Sequence, residues 1–87
     1  MFFVELKQGR KRSEWTAVPS LADASTEARR FIVSRDLTMH TFTGGAVCDD
    51  SEKVVARVSY NGKVWGPEPW HAGMMPVFDP FLVGVTA

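Results

Sequence analysis

The stretch "SLADASTEARRFIVS", residues 20–34, constrains this chain most, because it carries a helical period while the sequence on both sides alternates. Leu21, Ala24, Ala28, Phe31 and Ile32 recur at steps of three, four, three and one, so they share one stripe. Asp23, Glu27, Arg30 and Ser34 form the wet side. Ser20 is a good N-cap, and Asp23 three residues on supplies the acid of a capping box. The acid sits early, and Arg29, Arg30 and Arg35 sit late, as the helix dipole favours. The spacing predicts a helix over 20–35. Its stripe needs a surface to cover it, and Ala24 and Ala28 are small enough to let it lie close to a sheet.

The flanks supply that sheet. In "FFVELK", Phe2, Val4 and Leu6 fall on one side, and Phe3, Glu5 and Lys7 on the other, which is the pattern of a half-buried strand. "SEWTAV" resumes the alternation after the polar loop "GRKR". A four-residue hairpin loop over 9–12 would set Leu6 opposite Trp15 and Val4 opposite Ala17, all on one buried face. "TMHTFTGGAVCD" reads as a third strand, with Gly44-Gly45 marking a bulge or bend. "DSEK" is a turn. "VVARVSY" is a fourth strand with Val54, Ala56, Val58 and Tyr60 on one side. Asn61-Gly62 is the strongest short hairpin signal, and a two-residue type I′ turn there pairs Val58 with Trp65.

The expected fold is therefore α+β: an antiparallel sheet of four to five strands, in ββαββ order, with one helix packed on one face. The domain spans 1–65, and an apolar, Pro-rich tail spans 66–87. The expected core is Val4, Leu6, Trp15, Ala17, Leu21, Ala24, Ala28, Phe31, Ile32, Val54, Ala56, Val58 and Trp65.

The layout "VELKQG…WTAVPSLADASTEARRFI" followed by "GGAVCDDSEKVVARVSYNGK" resembles small bacterial ββαββ proteins of unknown function, over roughly residues 2–65. Such families often place a glycine in the turn that here reads "DDSEK". The resemblance implies the fold and gives no residue a role. The arrangement also looks like that of some small phage-encoded inhibitors, including anti-CRISPR proteins, which is a likeness of fold alone.

Charge limits the function classes. The formal net charge is zero, whereas a dedicated nucleic-acid binder calls for a basic surplus. Residues 1–36 hold seven cations against five acids, and residues 37–87 three against five, too small a split to steer a ligand. The lone Cys48 cannot form an internal disulfide, and no stretch approaches a signal sequence or the ~20 apolar residues of a membrane span. The chain reads as reduced and cytoplasmic, with no membrane partner.

Catalytic and metal motifs are weak. His40, Cys48 and His71 lack the close pairs of a zinc site. Cys48 with either histidine could form a dyad, but Asp49 and Asp50 beside it push a thiol pKa the wrong way. No phosphate-binding glycine loop is present, and no cofactor is implied. The sequence therefore reads as a non-enzyme.

The tail is the anomaly. It holds Pro67, Pro69, Pro76 and Pro80, four of the five prolines, and only two acids, Glu68 and Asp79. Proline forbids a regular helix or a central strand, yet a solvated tail this apolar would aggregate. Three coverings meet the need: the chain's own sheet face opposite the helix, where Phe3, Val55 and Val64 would otherwise be wet; a partner chain, with "FLVGV" adding a strand to a free edge; or tail exchange in a homodimer. The leading reading is a non-enzymatic protein-interaction module, homodimeric, binding its partner or itself through Trp70, Met74, Met75, Phe78, Phe81 and Leu82. The alternative is nucleic-acid binding through Arg10, Lys11, Arg12 and Arg30, or a phage-type inhibitor acting on a nucleic-acid-binding complex.

Overall fold

Ser20 starts the helix as its spacing predicts. A computed structural model, which describes residues 1–81, places α1 at Leu21–Ser34, with the Asp23 backbone N–H donating to Ser20 Oγ at 3.1 Å. The Ser20 hydroxyl donates in turn to the Asp23 carboxylate at 2.8 Å, closing the cap. Around the helix lie β1 (Phe2–Leu6), β2 (Glu14–Val18), β3 (Ala46–Cys48), β4 (Val54–Val58) and β5 (Val64–Trp65). All pairings are antiparallel, and the sheet order is β2-β1-β3-β4-β5. The chain is thus α+β, a five-stranded antiparallel sheet with one helix on one face.

The helix buries Ala24, Ser25, Ala28, Phe31 and Ile32 against Val4, Leu6, Val18, Val47, Ala56, Val58 and Val64. Leu21 packs at the margin of this core. Leu37 and Phe42 close its end, with the Phe42 and Phe31 rings tilted at 59° and 6.3 Å apart. Burial of each such aliphatic side chain stabilises by roughly 1.5–3 kcal/mol. Ser25 is the buried polar member. Its hydroxyl donates to the Gly62 carbonyl at 2.5 Å and ties the helix to the β4–β5 turn. Arg29 does the same one turn later, donating to the Tyr60 carbonyl at 2.7 Å.

Both hairpin registers differ from the expected ones by one residue. In the first hairpin Leu6 faces Glu14 and Val4 faces Thr16, so Trp15 opposes Glu5 and Ala17 opposes Phe3 on the far side of the sheet. Trp15 is 49% exposed and Ala17 is exposed, so neither is core; Val18 is buried in their stead. The loop runs over 7–13 because Lys7 and Gln8 turn away from β2 toward the 41–43 segment. Gly9 N–H donates to Thr41 O at 2.8 Å, and Thr43 N–H to Lys7 O at 3.0 Å. In the second hairpin Ser59 N–H donates to Lys63 O at 2.9 Å, leaving a three-residue loop over 60–62. Only Gly62 in that loop has positive φ (+90°), which fits a type I turn closed by a glycine and not the two-residue I′ turn. Val58 therefore faces Val64, which is fully buried, and Trp65 faces Arg57 on the opposite side.

A third shift lies in β4. Val47 pairs with Ala56 but Cys48 with Val54, so Val55 is the extra residue of a bulge. Val54 then shares the side of Cys48 and is 37% exposed, whereas Val55 packs on the core. Tyr60 leaves the strand and is also 37% exposed. The expected third strand shortens to Ala46–Cys48, because residues 38–43 form turns held by Thr38 and Thr41. Gly44-Gly45 mark a bulge, as read from the sequence. From Phe42, bridged to Gln8, to Val47, paired with Val4, this segment holds one residue more than β1 does.

In the "DDSEK" turn the Asp49 carboxylate accepts from the Ser51 hydroxyl (2.6 Å), Ser51 N–H (2.9 Å) and Lys53 N–H (3.1 Å). The Ser51 hydrogen bond and then the Lys53 amide hold its pKa below the ordinary carboxylate value. Glu52 pays for the missing glycine with φ +66°, a left-handed conformation that side chains disfavour. Glu52→Gly is expected to stabilise the fold by about 0.5–1 kcal/mol, a rise of roughly 3–6 °C in Tm by thermal denaturation.

Candidate functional site

Because the two hairpins and the β4 bulge set the parity, the face away from the helix receives a different cast from the one alternation alone would put there. Phe3, Glu5, Trp15 and Ala17 come from β1 and β2, Ala46 and Cys48 from β3, Val54 and Arg57 from β4, and Trp65 from β5. Trp15 beside Glu5, and Ala46, Arg57 and Trp65 in register, make one row that crosses the sheet. Val55 and Val64, expected on this face, belong to the helix side.

Two shallow cavities lie on the open face. One, of about 490 Å³, is floored by Phe3, Trp15 and Cys48 and rimmed by Asp49, Asp50 and Glu52. The other, of about 390 Å³, lies between Glu5, Ala46, Arg57, Trp65, Glu68, Trp70 and Met74, with the Gly44-Gly45 backbone beneath. Trp65 is oriented by its indole N–H, which donates to Ser59 Oγ at 3.2 Å. The Glu5 carboxylate accepts from the Ser13 hydroxyl at 2.6 Å. Aromatic floors with acidic rims suit a partner that is apolar and basic; Arg57 is the lone cation lining either cavity.

The tail divides in two. Val64 N–H donates to Phe78 O (2.8 Å), and Val77 and Phe78 N–H donate back to Val64 O (2.8 and 3.3 Å), so this segment runs along the outer edge of β5 in its own chain. Phe78 packs on the core, Lys63 Nζ sits 3.7 Å from Asp79 Oδ2, and Pro80 covers Gly62. Trp70, Met75, Val77 and Phe81 stand exposed at 70%, 79%, 60% and 66%, while Met74 is half-buried in the second cavity. Of the six residues expected to bind a partner, the structure thus brings Trp70 and Met74 together, exposes Met75 and Phe81 separately, and turns Phe78 inward. Leu82 lies outside the described residues.

Arg10, Lys11 and Arg12 are exposed at the β1–β2 loop and make no ion pair among the described residues. Arg30 is paired with Glu27 on its own helix at 2.8 Å. Arg35 bridges to Glu14 at 3.0 Å and lies over the Phe31 ring at 4.3 Å.

Cys48 is half-buried on the open face. Burial, then the carboxylates of Asp49, Glu5 and Glu52, push its thiol pKa up. A raised pKa leaves less thiolate at neutral pH, so Cys48 is expected to react with maleimide several-fold more slowly than a free peptide thiol, its rate climbing with pH beyond the usual thiol range. Labelling at or above the free-thiol rate at pH 7 would contradict this and revive a nucleophilic role. His40 and His71 are both exposed, on turns. Among the described residues no cluster of His, Cys, Asp or Glu is arranged to hold a metal ion, and no helix is long and apolar enough to cross a membrane.

The chain matches no protein-family model, no curated protein and no solved structure.

Proposed function

We propose that this chain is a non-enzymatic protein-interaction module, homodimeric, whose docking surface is the helix-free face of the sheet. One observation carries the reading: all three tryptophans lie outside the core, and all three line the cavities of that face. A domain this small has few large apolar side chains to spend, and tryptophan is the residue most enriched where binding energy concentrates. Placing them on one surface, around acidic rims, fits a basic protein partner better than it fits self-stabilisation.

Arg10, Lys11 and Arg12, exposed and without an ion pair among the described residues, support a second reading, contact with nucleic acid or with a nucleic-acid-binding complex. One experiment separates the two. Full-length chain is immobilised with native-host extract, alongside a Trp65→Ala/Trp70→Ala variant and an Arg10→Ala/Lys11→Ala/Arg12→Ala variant. Docking on the open face predicts a specific protein that is retained by the wild type and the arginine variant and reduced at least ~10-fold by the tryptophan variant, a loss within what buried anchors supply. Loss confined to the arginine variant, with a steep fall of binding as salt rises, would instead support phosphate contacts.

A further inference from the structure

The sheet has two edges, and they are treated differently. The outer edge of β5 is covered by Val77 and Phe78. The outer edge of β2 has no backbone partner among the described residues. Which groups it offers follows from β1. Glu5 O accepts from Gly45 N–H and Lys7 O from Thr43 N–H, so the odd residues of β1 turn their polar groups toward β3 and the even ones toward β2. Val4–Thr16, Leu6–Glu14 and Phe2–Val18 are then the hydrogen-bonded pairs of the first hairpin. Trp15 and Ala17 are left with their N–H and C=O groups pointing outward.

We infer that this edge is the self-association surface, with β2 of a second copy pairing antiparallel about a twofold axis at Thr16. The inference rests on the interaction-module reading above and names how the module dimerises. Centred there, Trp15 faces Ala17 of the second copy and Ala17 faces its Trp15, so every free N–H and C=O of the two residues finds a partner. A large side chain lies against a small one on each side of the axis. Centring on Ala17 instead would set Trp15 against a proline, Pro19, which has no N–H to give. The strand also lacks the usual guards of a lone edge: residues 14–18 contain no proline and no lysine, and their one charge, Glu14, is neutralised by Arg35.

Charge favours the same register. Carried past the strand ends, it sets Arg12 opposite Ser20 of the second copy, whose hydroxyl holds the Asp23 carboxylate at 2.8 Å. Arg12 has no ion pair in its own chain among the described residues. The cationic loop of each copy thus meets the acidic first turn of the other's helix, and the sheet continues across the axis with both open faces on one side. The interface is isologous and closes on itself, giving a dimer and not a fibre.

The test uses the full chain with Cys48→Ser and Thr16→Cys. Residues facing across a twofold in a non-hydrogen-bonded pair lie about 4.5 Å apart at Cα, within disulfide reach. Light scattering should give about twice the 9.7 kDa of one chain. Mild oxidation should convert the variant to a covalent dimer, while Val33→Cys, more exposed than Thr16 but on the helix, stays reduced. Ala17→Pro removes an outward N–H and spares the β1 ladder, so it should yield a monomer; Ala17→Asp serves if the proline unfolds the chain. A full chain that scatters as one copy overturns the inference. So does a dimer that survives both Ala17 variants and leaves Thr16→Cys reduced. Either failure leaves docking on the open face standing, because that reading is decided by Trp65 and Trp70, which lie on and beside the opposite edge.

Discussion

Gly45→Ala is expected to cost roughly 3–6 kcal/mol, much or all of what an 87-residue chain has, at about 0.05–0.15 kcal/mol per residue. A Cβ at this position would clash with Val58 O, where something must move, and the atom met is backbone. The residue also holds φ +108°, a conformation that costs an L-residue about 1–2 kcal/mol. Two hydrogen bonds run through it, Gly45 N–H to Glu5 O at 2.8 Å and Val58 N–H to Gly45 O at 2.7 Å, so relieving the clash loosens β1, β3 and β4 together. Urea denaturation followed by circular dichroism gives the cost. Gly66→Ala is the contrast: its Cβ would meet the far end of Glu68, a flexible side chain that can swing away, and a loss under ~1 kcal/mol is expected. Equal, small losses at both positions would show that the close approach at Gly45 does not hold the sheet.

That glycine pair was legible in the sequence, because two glycines inside an alternating stretch have few other uses. The helix was legible for a similar reason: Ser20, Asp23 and the apolar stripe agree at every level. What alternation could not supply was parity. A strand's side chains change face with every residue, so a loop longer or shorter by one residue exchanges its inner and outer sets. "QGRKRS" and "YNGK" each admit even and odd loops, and nothing in either fixes the choice before the third dimension does. In the first hairpin the 41–43 segment draws Lys7, Gln8 and Gly9 away from β2. In the second, Ser25 and Arg29 on the helix grip the turn carbonyls of Gly62 and Tyr60. Both are contacts between residues more than thirty positions apart. The result was to move Trp15 and Trp65 from the expected core to the open face. The candidate site was therefore the least legible part of the chain. Local preference favours burying tryptophan, and a functional surface is where that preference is overridden.

Removing residues 67–87 is expected to lower stability by roughly 3–5 kcal/mol, although none of the described residues among them belongs to β1–β5. Deletion uncovers Val64, which is fully buried, and breaks the hydrogen bonds that Val64 shares with Val77 and Phe78. Net values of about 0.5–1.5 kcal/mol per bond, with the loss of a half-buried phenylalanine, account for the estimate. The Lys63–Asp79 contact adds little, as partly solvated pairs do. Point variants divide the same loss. Phe78→Ala should cost about 2–3 kcal/mol, while Met75→Ala and Phe81→Ala, at 79% and 66% exposure, should stay within ~0.5 kcal/mol. A truncated chain as stable as the full one in urea would show that the tail's pairing with β5 contributes nothing to the fold. The expected pattern gives the two parts of the tail different work. Residues 77–80 close the β5 edge, which leaves β2 as the open edge of the sheet among the described residues. The anchored segment also returns the chain to the sheet, holding Trp70 and Met74 beside Trp65. An apolar tail that sequence alone would send either inward or to a partner packs inward at Phe78 and leaves Trp70, Met75 and Phe81 exposed.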